Sequence, residues 1–346
     1  MRKLVLLIAI LTFFVFPVSA MEFTAPPAPE SAQSYMPDTV NSFSEDLWFV
    51  IKSAVSHMLP KVAEASKICV SLIAINLLMT MLHDFSGIAK RTIGLVGVIS
   101  IGILLLQPSN ALIQLGVQTV EELSEYGKLL LPVMTAAMAA EGAAATSAAL
   151  YTGTVAFNTV LTSGISNLII PMIFIYMALC IATSAIEEDI LKKLRDLVKW
   201  LMTWSLKIAI YVFTGYIGIT GVVSGTADAA AVKAAKLAIS GFVPVVGNII
   251  ADASETVLVS AKVMKSTAGV YGLIVILAMW IGPFLEIGIQ YLMLKITASV
   301  CSVIGNKGPA ELIENFSGVM GFLLAITGTV CLLFLISTVC LMRGIG

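Results

Sequence analysis

Length, composition and charge exclude an ordinary soluble domain. Of the 346 residues, 58% are hydrophobic and 12% are charged, against about 45–50% and 25% in soluble domains. The 20 Lys and Arg with 21 Asp and Glu are too few to cover the surface of a protein of this size. We therefore predict that lipid covers much of it. The net charge of -1 provides no basic field, which excludes nucleic acid as a partner.

The first residues have the pattern of a secretory signal peptide. Arg2 and Lys3 precede an apolar run over residues 4–16, and residues 18–20 are small enough for a cleavage site. We predict a cleaved signal peptide over residues 1–20 and an extracytoplasmic mature N-terminus. An uncleaved anchor would give the same topology.

The remaining chain divides into a lead-in and a membrane domain. Residues 21–61 hold a Pro-rich extracytoplasmic stretch and then apolar residues at helical spacing, which predict an amphipathic helix at the membrane interface. Residues 62–346 are predicted to form a polytopic membrane domain.

Apolar segments of that domain predict an all-α membrane protein with about seven transmembrane helices. The predicted spans are 65–82, 92–106, 165–186, 200–224, two passages within 268–304 divided near Gly282-Pro283, and 318–342. Lys90-Arg91 and the basic stretch after residue 187 are predicted to be cytoplasmic. With seven crossings, Ser109 and Lys307 then lie outside and the C-terminus inside.

Two further apolar stretches, 129–163 and 226–265, must each cross an even number of times if the neighbouring loops are placed correctly. A re-entrant or membrane-parallel helical pair satisfies this condition. Each stretch has a Pro-Val pair, followed eight or nine residues later by a lone acid. We predict a weak internal repeat over residues 91–186 and 199–285; coincidence in an apolar sequence is the alternative.

Ionisable residues in apolar surroundings are candidates for function because burying a charge in a membrane is costly. The candidate functional segment, a pore lining or subunit contact, comprises Asp228, Lys233, Lys236, Pro244 and Asp252. A structural ion network is the alternative role. The other intramembrane polar candidates are Glu141, Glu286 and Lys295. Glu286 and Lys295 are too far apart along a helix to pair with each other, and Lys295 is expected to extend toward the interface.

A basic helix is the candidate docking site for a cytoplasmic partner. Its cations are Lys192, Lys193, Arg195 and Lys199.

The sequence predicts neither an enzyme nor a cofactor or metal. Only two histidines are present, His57 and His83, and no catalytic or metal-binding motif is found. The five cysteines are scattered singly through apolar stretches, which predicts that they pack between helices as small hydrophobic residues. They are Cys69, Cys180, Cys301, Cys331 and Cys340.

One region resembles a known family. The run Gly225-Thr226-Ala227-Asp228-Ala229-Ala230-Ala231-Val232-Lys233-Ala234-Ala235-Lys236 and its continuation to Gly247 are similar to the stage III sporulation protein AE family. The signal peptide, the chain length, the helical layout and residues 142–146 are also similar. The resemblance implies a subunit of an apparatus that endospore-forming bacteria build between mother cell and forespore. It implies a place in the mother-cell membrane, with ring-forming proteins and a cytoplasmic ATPase as partners, but no catalytic residues.

The leading hypothesis is therefore a non-enzymatic platform or channel subunit of that secretion-like complex, required for late forespore gene expression. Two alternatives stay open. A stand-alone secondary transporter would fit the internal repeat, and a pure assembly scaffold would form no conduit.

Overall fold

Long α-helices make up nearly all of the part of the chain that the computed structural model describes. Those residues are 25–37, 42–85, 90–140, 144–186, 188–219, 267–304 and 307–343. The helices are α1 (Glu30–Gln33), α2 (Phe43–His57), α3 (Leu59–Phe85), α4 (Lys90–Ala140), α5 (Ala144–Gly164), α6 (Ile170–Ile186), α7 (Asp189–Ile219), α8 (Thr267–Ile304) and α9 (Lys307–Arg343). The predicted all-helical class is confirmed for these residues. The signal peptide and residues 220–266 lie outside them.

Five helical stretches of the described residues are long and apolar enough to cross a membrane, as a multi-pass membrane protein requires. They are Leu59–Leu82, Thr92–Met138, Ser147–Ile186, Ala268–Ile304 and Lys307–Met342. In the last two, 67% of the most apolar window is buried, against 28–33% in the first three. The antiparallel hairpin of α8 and α9 is therefore the centre of the bundle, and the other helices surround it.

Helices α4 and α8 both continue through their prolines, beyond the predicted span end at Leu106 and the predicted division at Gly282-Pro283. Helix α4 runs for 51 residues with Pro108 and Pro132 inside it, and α8 runs for 38 residues through Pro283. The predicted division at Gly282-Pro283 is therefore wrong, and the predicted end of a span at Leu106 is not the end of a helix. A proline removes one backbone donor and bends a helix. It need not reverse the chain when packing holds both halves.

The stretch 129–163 is likewise not a separate element. Its first part completes α4 and its second part is α5, and the two helices pack side by side, with Asn158 Nδ2 donating to Ser124 Oγ at 2.7 Å. A π-helical turn, Ile165–Ile169, joins α5 to α6 just before Pro171. Residues 226–265 and most of the second repeat unit lie outside the described residues, so the internal repeat stays a prediction.

Contacts between distant residues define the two ends of the bundle. At the first, here called the basic end, a Cβ atom at Gly308 would lie 3.6 Å from the Ser184 carbonyl oxygen. At the opposite end, the Ala28 amide donates to Tyr271 Oη at 3.2 Å, and Gly269 lies against Met342.

These contacts correct the predicted topology. Lys307 lies at the basic end, together with Lys193, and not on the opposite side from it. Residues 25–28 and the last described turn of α9 thus lie together at the other end of the bundle, because one continuous α8 replaces two predicted passages.

Candidate functional site: two charged clusters on the central hairpin

The candidate segment that carries the family resemblance cannot be placed. Glu141, Asp228, Lys233, Lys236, Pro244 and Asp252 lie outside the described residues. Their roles stay predictions. Glu286, Lys295 and the four basic residues of α7 are described, and they belong to two charged clusters.

The outer cluster comprises Tyr35, Lys61 and Glu286. Lys61 Nζ, in the first turn of α3, lies 2.8 Å from Glu286 Oε1 in the middle of α8. The two side chains are 41% and 26% exposed. Glu286 is thus neutralised by a residue 225 positions away, and the ion pair joins an early helix to the central hairpin.

Tyr35, in the N-terminal segment 25–37, packs against the part of α8 just before Glu286. A Cβ atom at Gly282 would fall 2.6 Å from Tyr35 Oη, so the absence of a side chain at position 282 permits the close approach. The Tyr35 and His57 rings meet edge to face, with centroids 5.5 Å apart. Burial, and then the Glu286 carboxylate, raise the pKa of the Tyr35 phenol above its ordinary value. The phenol is therefore neutral at physiological pH.

We expect Lys61 and Glu286 to be energetically coupled. In a double-mutant cycle with Lys61→Met and Glu286→Gln, the coupling should be about 1 kcal/mol, because the pair is only partly exposed. Thermal unfolding in detergent measures it. Lys67→Met, at an exposed site on the same helix, is the matched control. Purely additive effects of the two substitutions would contradict the pairing.

The inner cluster lies near the basic end and comprises Arg195, Lys295, Glu311 and Glu314. Arg195 Nη1 lies 2.6 Å from Glu311 Oε1, and the Arg195 side chain is only 12% exposed. Lys295 pairs with Glu314, which explains why this cation is tolerated on α8. Glu311 and Glu314 are three residues apart and near the start of α9, where the helix dipole favours acids.

Polar side chains extend the inner cluster inward along α6. Tyr176 Oη donates to Asn315 Oδ1 at 3.3 Å. The Asn315 Nδ2 atom has no partner among the described residues. The start of α9 is therefore bound to α6, α7 and α8 by polar contacts.

The structure divides the predicted docking residues. Arg195 points inward to Glu311, while Lys193 and Lys199 are exposed and Lys192 is half-buried. A buried stripe of Val198, Met202 and Leu206 faces the bundle. The three lysines are accessible to a partner, whereas Arg195 joins α7 to α9.

These clusters hold helices together and present no catalytic arrangement. Asn76 on α3 adds a similar bond, donating from Nδ2 to the Cys301 carbonyl oxygen at 3.2 Å. All five cysteines are buried, which confirms their predicted packing role. Within the described ranges, no three His, Cys, Asp or Glu side chains are grouped to hold a metal ion.

Sequence reasoning missed Lys61, Glu311 and Glu314. The sequence pattern places Lys61 at the end of the interfacial helix, and the two glutamates precede the predicted last span. The Glu-x-x-Glu spacing just after Pro309 was a usable signal, since it places both acids on one helix face.

Comparisons with known proteins agree with the resemblance found in the sequence. The family model described as stage III sporulation protein AE matches residues 31–345. Stage III sporulation protein AE of Bacillus subtilis (strain 168) is 24% identical over 320 residues, which cover 89% of this chain and 79% of the relative. No solved structure matches.

Proposed function

Because the chain belongs to the stage III sporulation protein AE family, we propose that it is a non-enzymatic membrane subunit of the mother-cell to forespore complex. In this role it is a platform or channel component, required for endospore formation and late forespore gene expression. Its place is the mother-cell membrane around the forespore. Its partners are other membrane subunits, ring-forming proteins and a cytoplasmic ATPase.

The packed central hairpin is the observation that favours a platform. Residues 272–280 of α8 are all buried, and among the described residues of α9 only Lys307 and Glu311 are exposed. Apolar side chains therefore fill the axis of the described bundle, and a filled axis suits a rigid support. A conduit in such a complex lies beside this hairpin, either between subunits or along residues 226–252.

The same helices argue against a stand-alone secondary transporter. Transporter sites are typically formed by discontinuous helices near the bilayer midplane. Within the described ranges, α4 and α8 continue through Pro108, Pro132 and Pro283. The helices that contain these prolines thus lack the interruption that a transporter site uses.

A gene deletion tests the proposed role. The deletion strain should complete engulfment, lose late forespore gene expression and form no mature spores, and the wild-type gene should restore all three. The tagged protein should co-purify with the other membrane subunits of the complex. Normal spores from the deletion strain would rule out the proposal.

Labelling of the candidate segment separates a channel component from a pure scaffold. Bulky thiol reagents on Ala231→Cys or Ala235→Cys should reduce transport if this segment lines a conduit. Labelled Lys193→Cys is the control, since it is exposed on a different part of the chain. Undiminished transport after complete labelling would favour the scaffold.

A further inference from the structure

The bundle is taller than a bilayer. At 1.5 Å per residue, the 51 residues of α4 span about 77 Å and the 37 residues of α9 about 55 Å. The hydrocarbon core of a membrane is only about 30 Å thick. Part of the bundle must therefore stand outside the lipid, and the exposed side chains indicate which part.

The exposed face of α4 changes character along one unbroken helix. Near the basic end it shows Val96, Ile99 and Ile103, which are 60%, 48% and 64% exposed. Beyond Leu106 the exposed side chains are mainly polar, and they recur at helical spacing. These polar residues are Gln107, Asn110, Gln114, Gln118, Glu121, Glu125 and Lys128. An apolar face fits lipid chains and a polar face fits water, so α4 leaves the bilayer near Leu106.

The neighbouring helices show the same change. On α3 the charged residues Glu64 and Lys67 are exposed in the first part of the helix, after Leu59 at its start, and from Val70 onward the exposed side chains are largely apolar. On α5 and the π-helical turn, exposed Thr159, Ser163 and Asn167 lie with one exposed apolar residue, Val160, and toward the basic end they give way to Leu168 and then to Phe174 and Ile175. The contact of Gly102 with Ile181 fixes the relative height of α4 and α6. Measured from that contact, the change from polar to apolar exposed residues before α6 lies about 13 Å farther from the basic end than the change on α4. The boundary of the membrane therefore crosses the bundle obliquely.

The N-terminal segment supplies independent evidence. Residues 25–29 are not helical, yet they contact the part of the bundle beyond the boundary. Tyr126 Oη donates to the Pro26 carbonyl oxygen at 3.4 Å, and the Ala28 amide donates to Tyr271 Oη. Irregular backbone exposed to lipid would leave polar groups without partners. The level of Tyr126 and Tyr271 is therefore aqueous.

The first half of α8 shows why hydropathy alone does not identify the part of the bundle that lies in lipid. Leu273, Ile274, Val275 and Ile276 are each 0% exposed, which matches a helix buried on all sides in a protein core. Helix α8 packs against α2, α4 and α9, so the protein itself buries these apolar side chains and lipid is not needed to cover them.

We infer that the bilayer covers only the part of the bundle nearest the basic end. The rest, comprising α4 beyond Leu106, α5, and the ends of α8 and α9 away from the basic end, projects into the extracytoplasmic space as a helical pillar. Lys192, Lys193, Lys199 and Lys307 place the basic end in the cytoplasm. The end of α9 is then extracytoplasmic. This inference does not depend on the proposed function.

Single cysteines test both the depth and the side. In a chain whose five cysteines are replaced, Gln114→Cys and Gln118→Cys should react with an impermeant maleimide in right-side-out vesicles. Ile99→Cys and Ile103→Cys, on the same helix, should react at least tenfold more slowly until detergent is added. Lys193→Cys and Lys307→Cys should react only in inside-out vesicles. Protection of Gln118→Cys equal to that of Ile103→Cys overturns the pillar, and reaction of Lys307→Cys from the same side as Gln118→Cys overturns the orientation.

A second measurement retains the native cysteines. With Trp48, Trp200 and Trp204 replaced by Phe, and the signal of Trp280 subtracted by means of the parent chain without an added residue, an added tryptophan is followed in liposomes that contain brominated acyl chains. Ile103→Trp should be strongly quenched, whereas Gln118→Trp should lose less than a fifth of its fluorescence. Equal quenching of the two variants would contradict the inference even if the cysteine-free chain did not fold.

Discussion

A Gly127→Leu substitution is expected to abolish the folded bundle. A Cβ atom at Gly127 would overlap the ring of Phe334, which is 1% exposed on the central helix α9. Interiors are close-packed, and an added side chain in such a core destabilises by about 3 kcal/mol or more. Size-exclusion chromatography in detergent and thermal unfolding should show an aggregated chain, or one with a much lower Tm.

Glycines that have room for a Cβ atom are the controls for this substitution. Gly116 lies on the same helix, where a Cβ would sit 3.6 Å from Leu323 Cδ2, and Gly328 on α9 has no atom within 4 Å of that position. Gly116→Ala and Gly328→Ala should leave the Tm unchanged or raise it, because alanine favours the helix. An unchanged Tm for Gly127→Leu would show that α4 and α9 do not pack as described.

The second large effect is expected from Arg195→Ala. This change removes the contact with Glu311 and leaves an unpaired carboxylate beside Asn315 and Tyr176. Since Glu311 is 48% exposed, the free energy of unfolding should fall by about 1–3 kcal/mol, which is less than the loss expected on breaking a fully buried pair. Arg195→Lys should recover little, because lysine lacks the planar fork that contacts both Glu311 and Asp196. Thermal unfolding measures each variant.

A charge swap distinguishes pairing from general damage. Arg195→Glu combined with Glu311→Arg should regain at least half of the stability that either single change loses. Lys193→Ala, two residues earlier and exposed, should leave the Tm unchanged. If the swap is no better than the single changes, the ion pair does not hold α7 to α9.

Composition was enough to predict an all-helical membrane protein, but not the paths of its helices. Hydropathy detected a change near Leu106 and another at Gly282-Pro283, and both changes are real. On the inference above, they mark a change from lipid to water or from lipid to protein core. A sequence window reports how apolar a segment is and cannot report what surrounds it.

The charged clusters could be found only in part. Glu286 and Lys295 were recognised as costly charges, and each has a partner of opposite charge in the structure. Their partners could not be assigned, because helical spacing relates only residues within a few turns. Lys61 and Glu286 meet through the packing of α3 on α8. The family resemblance lies in residues 225–247, which the structure does not describe. It therefore identifies the family but does not locate these residues in the bundle.

The contacts of α3 with α8 can form only long after α3 has been synthesised. Lys61 and Asn76 are made early, but their partners Glu286 and Cys301 are each made 225 residues later. At about 5–20 residues per second, the interval is roughly 10–45 s. During that time the Lys61 charge is hydrated, since it precedes the membrane boundary on α3, whereas the Asn76 amide must be shielded by water or by an insertion factor. The contact of Ala28 with Tyr271 forms later than the insertion of α3, so docking of the N-terminal segment reports that the last hairpin has arrived.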